Sequence, residues 1–182
     1  MGALRYGLAG LLLSAGLAAQ AQTVDLAKSQ LKFTFKQEEV PVEGQFRKFA
    51  AQVSFDPAKP EAGKADVSVE LSSVDGGSPD ATGELGKKSW FDSAHFPQAK
   101  FSASGFKALG GGKFQAPGKL SLKGKTLPVT VTFTSKPEGK GLLLTGSTTV
   151  NRLAFAVGDG VWADTDSVAD AVQVQFKLLV NP

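Results

Sequence analysis

The chain has 182 residues, with 20 lysines and arginines against 17 aspartates and glutamates, and it contains no cysteine. Without cysteine it has no disulfide, no thiolate nucleophile and no zinc–thiolate or iron–sulfur site. Its basic residues are scattered among apolar neighbours, as at Lys32, Lys36 and Lys177, whereas nucleic-acid binders cluster them on one face. The composition therefore argues against nucleic-acid binding.

The N-terminus predicts a cleaved signal peptide. Arg5 precedes an apolar stretch at 6–19, and Ala19-Gln20-Ala21 has the small-x-small pattern of a cleavage site. The stretch is shorter than the roughly 20 apolar residues of a membrane span. We therefore expect residues 1–21 to be removed, residues 22–182 to form one domain, and the protein to reach a bacterial periplasm or the medium.

Apolar and polar residues alternate along most of the remaining chain, which predicts β-strands with one apolar face. Eight segments show this pattern, the first four clearly and the others weakly: 31–36, 66–71, 127–134, 172–178, 44–55, 100–108, 113–123 and 142–150. Turn residues at 110–112, 124–125 and 137–139 suit short hairpins. The strands are therefore expected to form an antiparallel meander.

One short helix is expected at 80–88. Asp80 is predicted to cap its first turn by accepting hydrogen bonds from free backbone N–H groups, and Glu84 adds favourable charge near that end. Gly83 and Gly86 weaken the helix, so it is expected to be short.

The predicted fold is all-β, an eight-stranded antiparallel barrel with this one helix. Closure removes exposed sheet edges, and eight strands leave an interior that is either filled by side chains or holds one small ligand. The chain has 13 phenylalanines against one tyrosine and two tryptophans. Phenylalanine lacks a polar group, so the interior should be dry. The pattern leaves open whether these rings enclose a ligand or only each other.

Five motifs in order along the chain resemble the YceI family, lipocalin-like bacterial proteins that bind isoprenoid lipids. They are Val24-Asp25 with Ser29-x-x-x-Phe33; Gly44-x-Phe46-x-x-Phe49 before Val53-x-Phe55-Asp56-Pro57; Phe91-Asp92 with Phe96-Pro97-x-Ala99-x-Phe101; Gly118-x-Leu120-x-Leu122-x-Gly124-x-Thr126-x-Pro128-Val129; and Asn151-Arg152-x-x-Phe155-x-Val157-Gly158. The resemblance implies a lipocalin-like barrel, a polyisoprenoid or isoprenoid-quinone ligand, and a monomer or homodimer.

Ligand contact is predicted for apolar residues on the inward strand faces and in the motifs, and for one arginine. The set is Phe33, Phe35, Phe46, Phe49, Val69, Trp90, Phe91, Phe96, Phe101, Leu120, Leu122, Val131, Phe133, Phe155, Trp162, Val174, Phe176 and Arg152. We expect the lipid tail inside and its polar head at the barrel mouth, because burying the head without partners is costly.

Two polar features carry alternative interpretations. Arg152 suits either an anionic headgroup or a structural ion pair, for which Asp92 is the candidate partner. The second feature is a basic group around the central hairpin, Lys119, Lys123 and Lys125. One interpretation is a basic lip that attracts anionic lipid heads or a membrane surface. The other is the ordinary protection of a sheet edge by lysine.

Catalysis and metal binding are not predicted, and no cofactor beyond a lipid ligand is expected. His95 is the only histidine, and no Gly-x-Ser-x-Gly motif accompanies it. The acidic stretch 159–166 lacks the turn glycine and terminal glutamate of an EF-hand loop. The leading hypothesis is an exported carrier or store of a long apolar lipid, and the alternative is a ligand-free structural or interaction module.

Overall fold

The computed structural model describes residues 22–182, so the predicted signal peptide lies outside the described residues. Eleven strands form one antiparallel sheet: β1 (Thr23–Gln37), β2 (Val40–Phe46), β3 (Phe49–Ser54), β4 (Lys64–Glu70), β5 (Val74–Asp75), β6 (Gln98–Ser104), β7 (Lys107–Gly110), β8 (Lys113–Leu122), β9 (Lys125–Glu138), β10 (Gly141–Asn151) and β11 (Ala171–Asn181). One α-helix, α1 (Pro79–Leu85), and 3-10 helices at Pro60–Ala62, Leu71–Ser73, Arg152–Phe155 and Gly160–Ala163 complete the fold. Within this range no helix is long and apolar enough to cross a membrane.

The antiparallel all-β prediction is confirmed, but the count of eight strands is wrong. The predicted strand 44–55 is divided into β2 and β3, the predicted strand 100–108 is divided into β6 and β7, and β5 is an additional two-residue strand. At the first break the backbone N–H of Arg47 donates to the Ser73 carbonyl at 3.1 Å. Because this bond is made outside the strand-to-strand hydrogen bonds of the sheet, the strand is interrupted between Phe46 and Phe49.

The sheet curls on itself with the strand order β3-β4-β6-β8-β9-β10-β11-β1-β2-β5, and β7 adds to β8. The two ends of this order are joined by side chains rather than by a ladder. The amide of Gln22, just before β1, accepts from the Phe55 N–H at 2.6 Å and donates to the Phe55 carbonyl at 3.1 Å. Arg47, in the connection between β2 and β3, lies with its Nη2 2.5 Å from Oδ2 of Asp75 on β5.

Hairpins are present near the three predicted turns, but the connections lie at 111–112, 123–124 and 139–140 rather than at 110–112, 124–125 and 137–139. Lys123 and Gly124 have φ of +48° and +76° and form the two-residue connection between β8 and β9. Two successive positive φ values characterise the type I′ turn, whose twist matches that of the flanking strands. Gly111 and Gly112 likewise connect β7 to β8, with φ of +61° and +76°.

The predicted helix is present but shorter, and its cap is a different residue. Ser78 precedes α1, and its hydroxyl accepts from the Ala81 N–H at 3.2 Å. Asp80 therefore lies in the first turn rather than at the cap. The helix ends at Leu85, before Gly86, whose N–H donates to the Glu84 carbonyl.

Buried apolar residues form two clusters along the barrel axis. At one end, which we call the packed end, Phe55, Phe106, Phe114 and Phe133 lie with ring centroids 5.0–5.8 Å apart. Several of these pairs are edge-to-face, the arrangement that aromatic quadrupoles favour. The opposite end, which we call the loop end, is covered by the segments 76–97 and 152–170, together named the cap.

Replacing Asp75 by Asn should lower the melting temperature at neutral pH, and the difference should disappear in acid. The hydrogen bond from Arg47, helped by the Gly77 N–H and Gln45, lowers the pKa of Asp75 from 3.8 to about 2. A carboxyl whose pKa is depressed on folding stabilises the protein above its unfolded pKa and loses that effect as pH falls through its folded pKa. Melting curves between pH 7 and pH 2 check this window.

Glu61→Gln is the control, because Glu61 is exposed and has no ion pair within residues 22–182. If Asp75→Asn and Glu61→Gln show the same pH dependence, the proposed stabilisation by the Arg47–Asp75 pair is wrong.

Candidate functional site

A cavity of about 230 Å³ lies inside the barrel and extends from residues of the packed end to residues of the cap. All of its lining residues are apolar except Thr148 and Arg152. Strand geometry explains this composition, because alternate residues of a strand point to one face. Phe33 and Phe35 on β1, for example, line the cavity, whereas Lys36 is exposed.

Most residues predicted from the sequence to contact a ligand lie in the wall of this cavity. They are Phe33, Phe35, Phe46, Phe49, Val69, Trp90, Phe91, Phe101, Leu120, Leu122, Val131, Phe133, Arg152, Val174 and Phe176. The structure therefore brings them together around one apolar space. Their contact with a ligand stays a prediction.

Three predicted contact residues lie outside the cavity wall. The Phe96 ring packs over Gly124 at the β8–β9 turn. Phe155 is buried in the loop-end cluster, and the Trp162 ring lies 5.6 Å from that of Trp90. All three belong to the cap, where the chain is not a regular strand and the period of two does not indicate which side chains point inward.

The sequence analysis also missed cavity-lining residues, most of them aliphatic. They are Leu31, Val53, Ala65, Val67, Leu71, Leu85, Ala99, Phe106, Ala116, Val129, Leu144, Thr148, Val150, Val157, Val172 and Leu178. Those on strands follow the same alternation and could have been included. Leu71 ends the alternating segment 66–71 but lies in a 3-10 helix. Leu85 lies in α1 and Val157 in the second cap segment, where alternation gives no signal.

An aromatic strip connects the cavity to the surface. The Phe46 ring lies 5.5 Å from Phe33 and 5.7 Å from Phe91, and Phe35 stacks on Phe33 at 6.3 Å. Phe33 is buried, whereas Phe35, Phe46 and Phe91 are half-buried. An apolar chain leaving the cavity would therefore meet aromatic surface before it meets water.

Arg152 is buried at the loop end and uses its whole guanidinium group to hold the cap. Its Nε, Nη1 and Nη2 atoms donate to five backbone carbonyls at 2.6–3.0 Å, those of Ala169, Val157, Gly158, Trp162 and Val168. A guanidinium has five N–H donors, so none is left for a headgroup. Burial lowers the pKa of Arg152, and the nearby Asp170 carboxylate opposes that shift.

The predicted ion pair between Arg152 and Asp92 is wrong. Asp92 is buried and its Oδ1 lies 2.7 Å from Nδ1 of His95. Backbone carbonyls replace the carboxylate as partners of Arg152, because the chain from 157 to 169 wraps around the guanidinium. Such a wrapping depends on the path of a loop, which residue types do not reveal.

Lys123 has a structural role that neither interpretation of the lysines anticipated. Its side chain is 9% exposed, and Nζ donates to the carbonyls of Lys88 and Ala156 at 2.7 Å each. Nζ also lies 3.7 Å from Oδ2 of Asp159. Lys123 therefore ties the β8–β9 turn to both segments of the cap, while Lys119 and Lys125 are exposed.

The two cap segments are also bonded to each other beside Trp90. The N–H groups of Gly158 and Asp159 donate to the Ser89 carbonyl at 2.8 and 2.9 Å. Trp90 Nε1 is buried and forms no hydrogen bond within the described residues. The hydrogen bond from Lys87 lowers the pKa of Glu84, which lies one turn before this junction.

The acidic stretch 159–166 contains the 3-10 helix Gly160–Ala163 and the start of a turn that follows it. The Asp164 carboxylate accepts from the Ser167 hydroxyl at 2.9 Å and from the Asp166 N–H at 3.0 Å, and these bonds lower the pKa of Asp164. Among residues 22–182, no group of three or more His, Cys, Asp or Glu side chains is placed to hold a metal ion.

Replacing Arg152 by Met should lower the free energy of unfolding by at least ~3 kcal/mol, because five carbonyls lose their donor and each unsatisfied buried group costs about 1–3 kcal/mol. Urea denaturation measures this loss. Arg47→Met is the control, since its exposed ion pair is worth at most about 1 kcal/mol. Similar losses in the two variants would contradict the role assigned to Arg152.

Replacing Lys123 by Met should lower the unfolding free energy by about 1–3 kcal/mol, because two carbonyls lose a charged donor. It should also increase proteolytic cleavage within the cap, which the lysine holds to the barrel. Lys125→Met is the matched control two residues away, where the side chain is exposed. Limited proteolysis with equal cap cleavage in both variants would refute this role.

The sequence of residues 22–180 matches the family described as the YceI-like domain. A UPF0312 protein from Azotobacter vinelandii is 37% identical over 97 residues, which are 53% of this chain and 50% of that protein. The chain therefore spans about half the length of this curated relative.

Two solved structures have the same fold. Burkholderia cenocepacia BcnA aligns with a TM-score of 0.83 at 44% identity, covering 86% of this chain and 98% of that chain. A polyisoprenoid binding domain from Saccharophagus degradans aligns with a TM-score of 0.71 at 15% identity, covering 88% and 98%. The match over residues 22–180 and the shared barrel lead to one conclusion: the chain belongs to the family of YceI-like domains.

Proposed function

We propose that this protein is a binding protein, not an enzyme, and that it holds the tail of a long apolar lipid inside its barrel. The observation that carries the proposal is the cavity, whose wall is apolar except at Thr148 and Arg152. Arg152 has no free donor, so the wall suits a hydrocarbon. The polyisoprenoid binding domain from Saccharophagus degradans has the same fold, which supports a polyisoprenoid or isoprenoid-quinone ligand.

The energetics favour a long tail over a short one. Each buried CH₂ contributes about 0.8 kcal/mol, so a five-carbon isoprene unit contributes roughly 3–4 kcal/mol. Association costs about 4–15 kcal/mol before any affinity is observed. Several isoprene units are therefore needed for tight binding, and the aromatic strip of Phe33, Phe35, Phe46 and Phe91 within the cavity wall offers apolar contact toward the surface.

The volume of the cavity sets how the tail enters. At about 230 Å³ it exceeds the ~150 Å³ apolar cavity that admits benzene and lies near the lower limit of ordinary ligand pockets, ~300 Å³. A tail of several units therefore requires the lining side chains to move apart. A polar head stays outside, because burying it without partners is unfavourable.

We also propose that the protein acts outside the cytoplasm, as the signal-like residues 1–21 indicate, where it would carry or store this lipid as a monomer or homodimer. The alternative is a structural or interaction module whose core is filled by its own side chains.

Native mass spectrometry of protein purified without detergent tests the proposal. We expect a bound lipid whose extracted mass corresponds to an isoprenoid, and rebinding of that lipid after delipidation. Protein that carries no lipid, and takes up no isoprenoid or long acyl lipid after delipidation, would favour the filled module instead.

Val174→Phe should reduce the fraction of protein that carries lipid by at least about tenfold, because a phenyl ring in place of the smaller valine side chain occupies the space of the lipid tail. Gln175→Phe is the matched control, since it adds the same ring at the next position of β11, where the side chain is exposed. Equal lipid occupancy in the two variants, measured in the same spectra, would show that the lipid binds elsewhere.

A further inference from the structure

Three glycines lie on the inner face of the barrel. Gly44 on β2 is paired with Phe33, Gly146 on β10 is paired with Phe133 and Phe176, and Gly118 on β8 is paired with Val129. Directly opposed residues of antiparallel strands point to the same face, and all of these partners line the cavity. A side chain at any of the three positions would therefore point into the cavity.

A phenylalanine ring occupies the space that each missing side chain would fill. A Cβ added to Gly44 would collide with the ring of Phe33, and at Gly118 it would lie 2.6 Å from the ring of Phe101. At Gly146 it would lie 2.6 Å from the Phe176 ring. Each ring thus lies against the backbone of its glycine. Because the glycine has no side chain, the ring extends less far into the cavity than it would beside a larger residue.

We propose that Gly44, Gly118 and Gly146 set the width of the cavity so that it accepts a methyl-branched chain in preference to a straight one. This inference rests on the proposed function. An isoprenoid tail carries a methyl branch on every unit and is wider than an n-alkyl chain. A Cβ at one of these positions requires the neighbouring phenylalanine ring to move away to ordinary contact at 3.4–4 Å. Because the glycine backbone lies on one side of the ring, this movement brings the ring farther into the cavity.

Gly44 provides the clearest test. The three atoms nearest to its added Cβ all belong to the Phe33 ring, whereas at Gly118 and Gly146 a backbone carbonyl, of Ser102 and of Thr132, is also too close. Substitution at Gly44 should therefore displace a side chain, while substitution at the other two would also distort the ladder.

The experiment compares farnesol with the straight-chain saturated alcohol of equal carbon number, each titrated into delipidated protein. We expect the wild type to bind farnesol more tightly. Gly44→Ala should shift the ratio of the two dissociation constants toward the straight chain by at least about tenfold, the discrimination that a methyl-sized change in an apolar pocket provides. Gly44→Ala/Phe33→Leu, which removes the displaced ring, should restore the preference for farnesol.

Gly83→Ala is the control, because an added Cβ there meets no atom within 4 Å, and it should keep the wild-type ratio. A wild type that prefers farnesol, with the ratio unchanged in Gly44→Ala, would overturn this inference and leave the proposed function standing. A wild type that binds both alcohols equally would overturn it as well. A wild type that binds neither these alcohols nor longer isoprenoids would overturn the proposed function and this inference together.

Discussion

The buried guanidinium of Arg152 is the interaction on which the loop end of this barrel depends. A charge removed from water must have its hydrogen bonds satisfied, and five carbonyls between 157 and 169 do so. The guanidinium also lies 5.6 Å from the centre of the Trp90 ring. One cation therefore fixes the path of the second cap segment and positions an aromatic residue of the cavity wall.

Lys123 extends this arrangement to the first cap segment. Its ammonium bonds to carbonyls on both segments from the β8–β9 turn, where left-handed backbone at Lys123 and Gly124 directs the side chain to the cap. The side chains of Arg152 and Lys123 both donate their hydrogen bonds to backbone carbonyls of the protein itself. Neither side chain is therefore free to bind an anionic ligand.

The packing of the interior differs along the barrel axis. At the packed end, the rings of Phe55, Phe106, Phe114 and Phe133 fill the interior and contact each other. Toward the loop end, the Phe33 ring lies against Gly44, and the interior stays partly open.

The sequence predicted most of the wall because strand alternation assigns a face to every residue once a strand is recognised. It placed Phe33, Phe35 and Val174 in the interior correctly. It failed where the chain leaves the ladder: Phe96, Phe155 and Trp162 belong to the cap and lie outside the wall, while Leu85 lines it without any periodic signal. The corner at Arg47 was also missed, because a hydrogen bond to the distant Ser73 creates it.

The sequence by itself determined the antiparallel all-β fold, the hairpin turns and the apolar character of the interior, since these follow from local periodicity and from the backbone freedom of glycine. Only the tertiary structure decided the partners of Arg152 and Lys123, the closure of the sheet by Gln22 and by the Arg47–Asp75 pair, and the width of the cavity. These features depend on contacts between residues far apart in the chain, and residue order alone does not specify which of them meet.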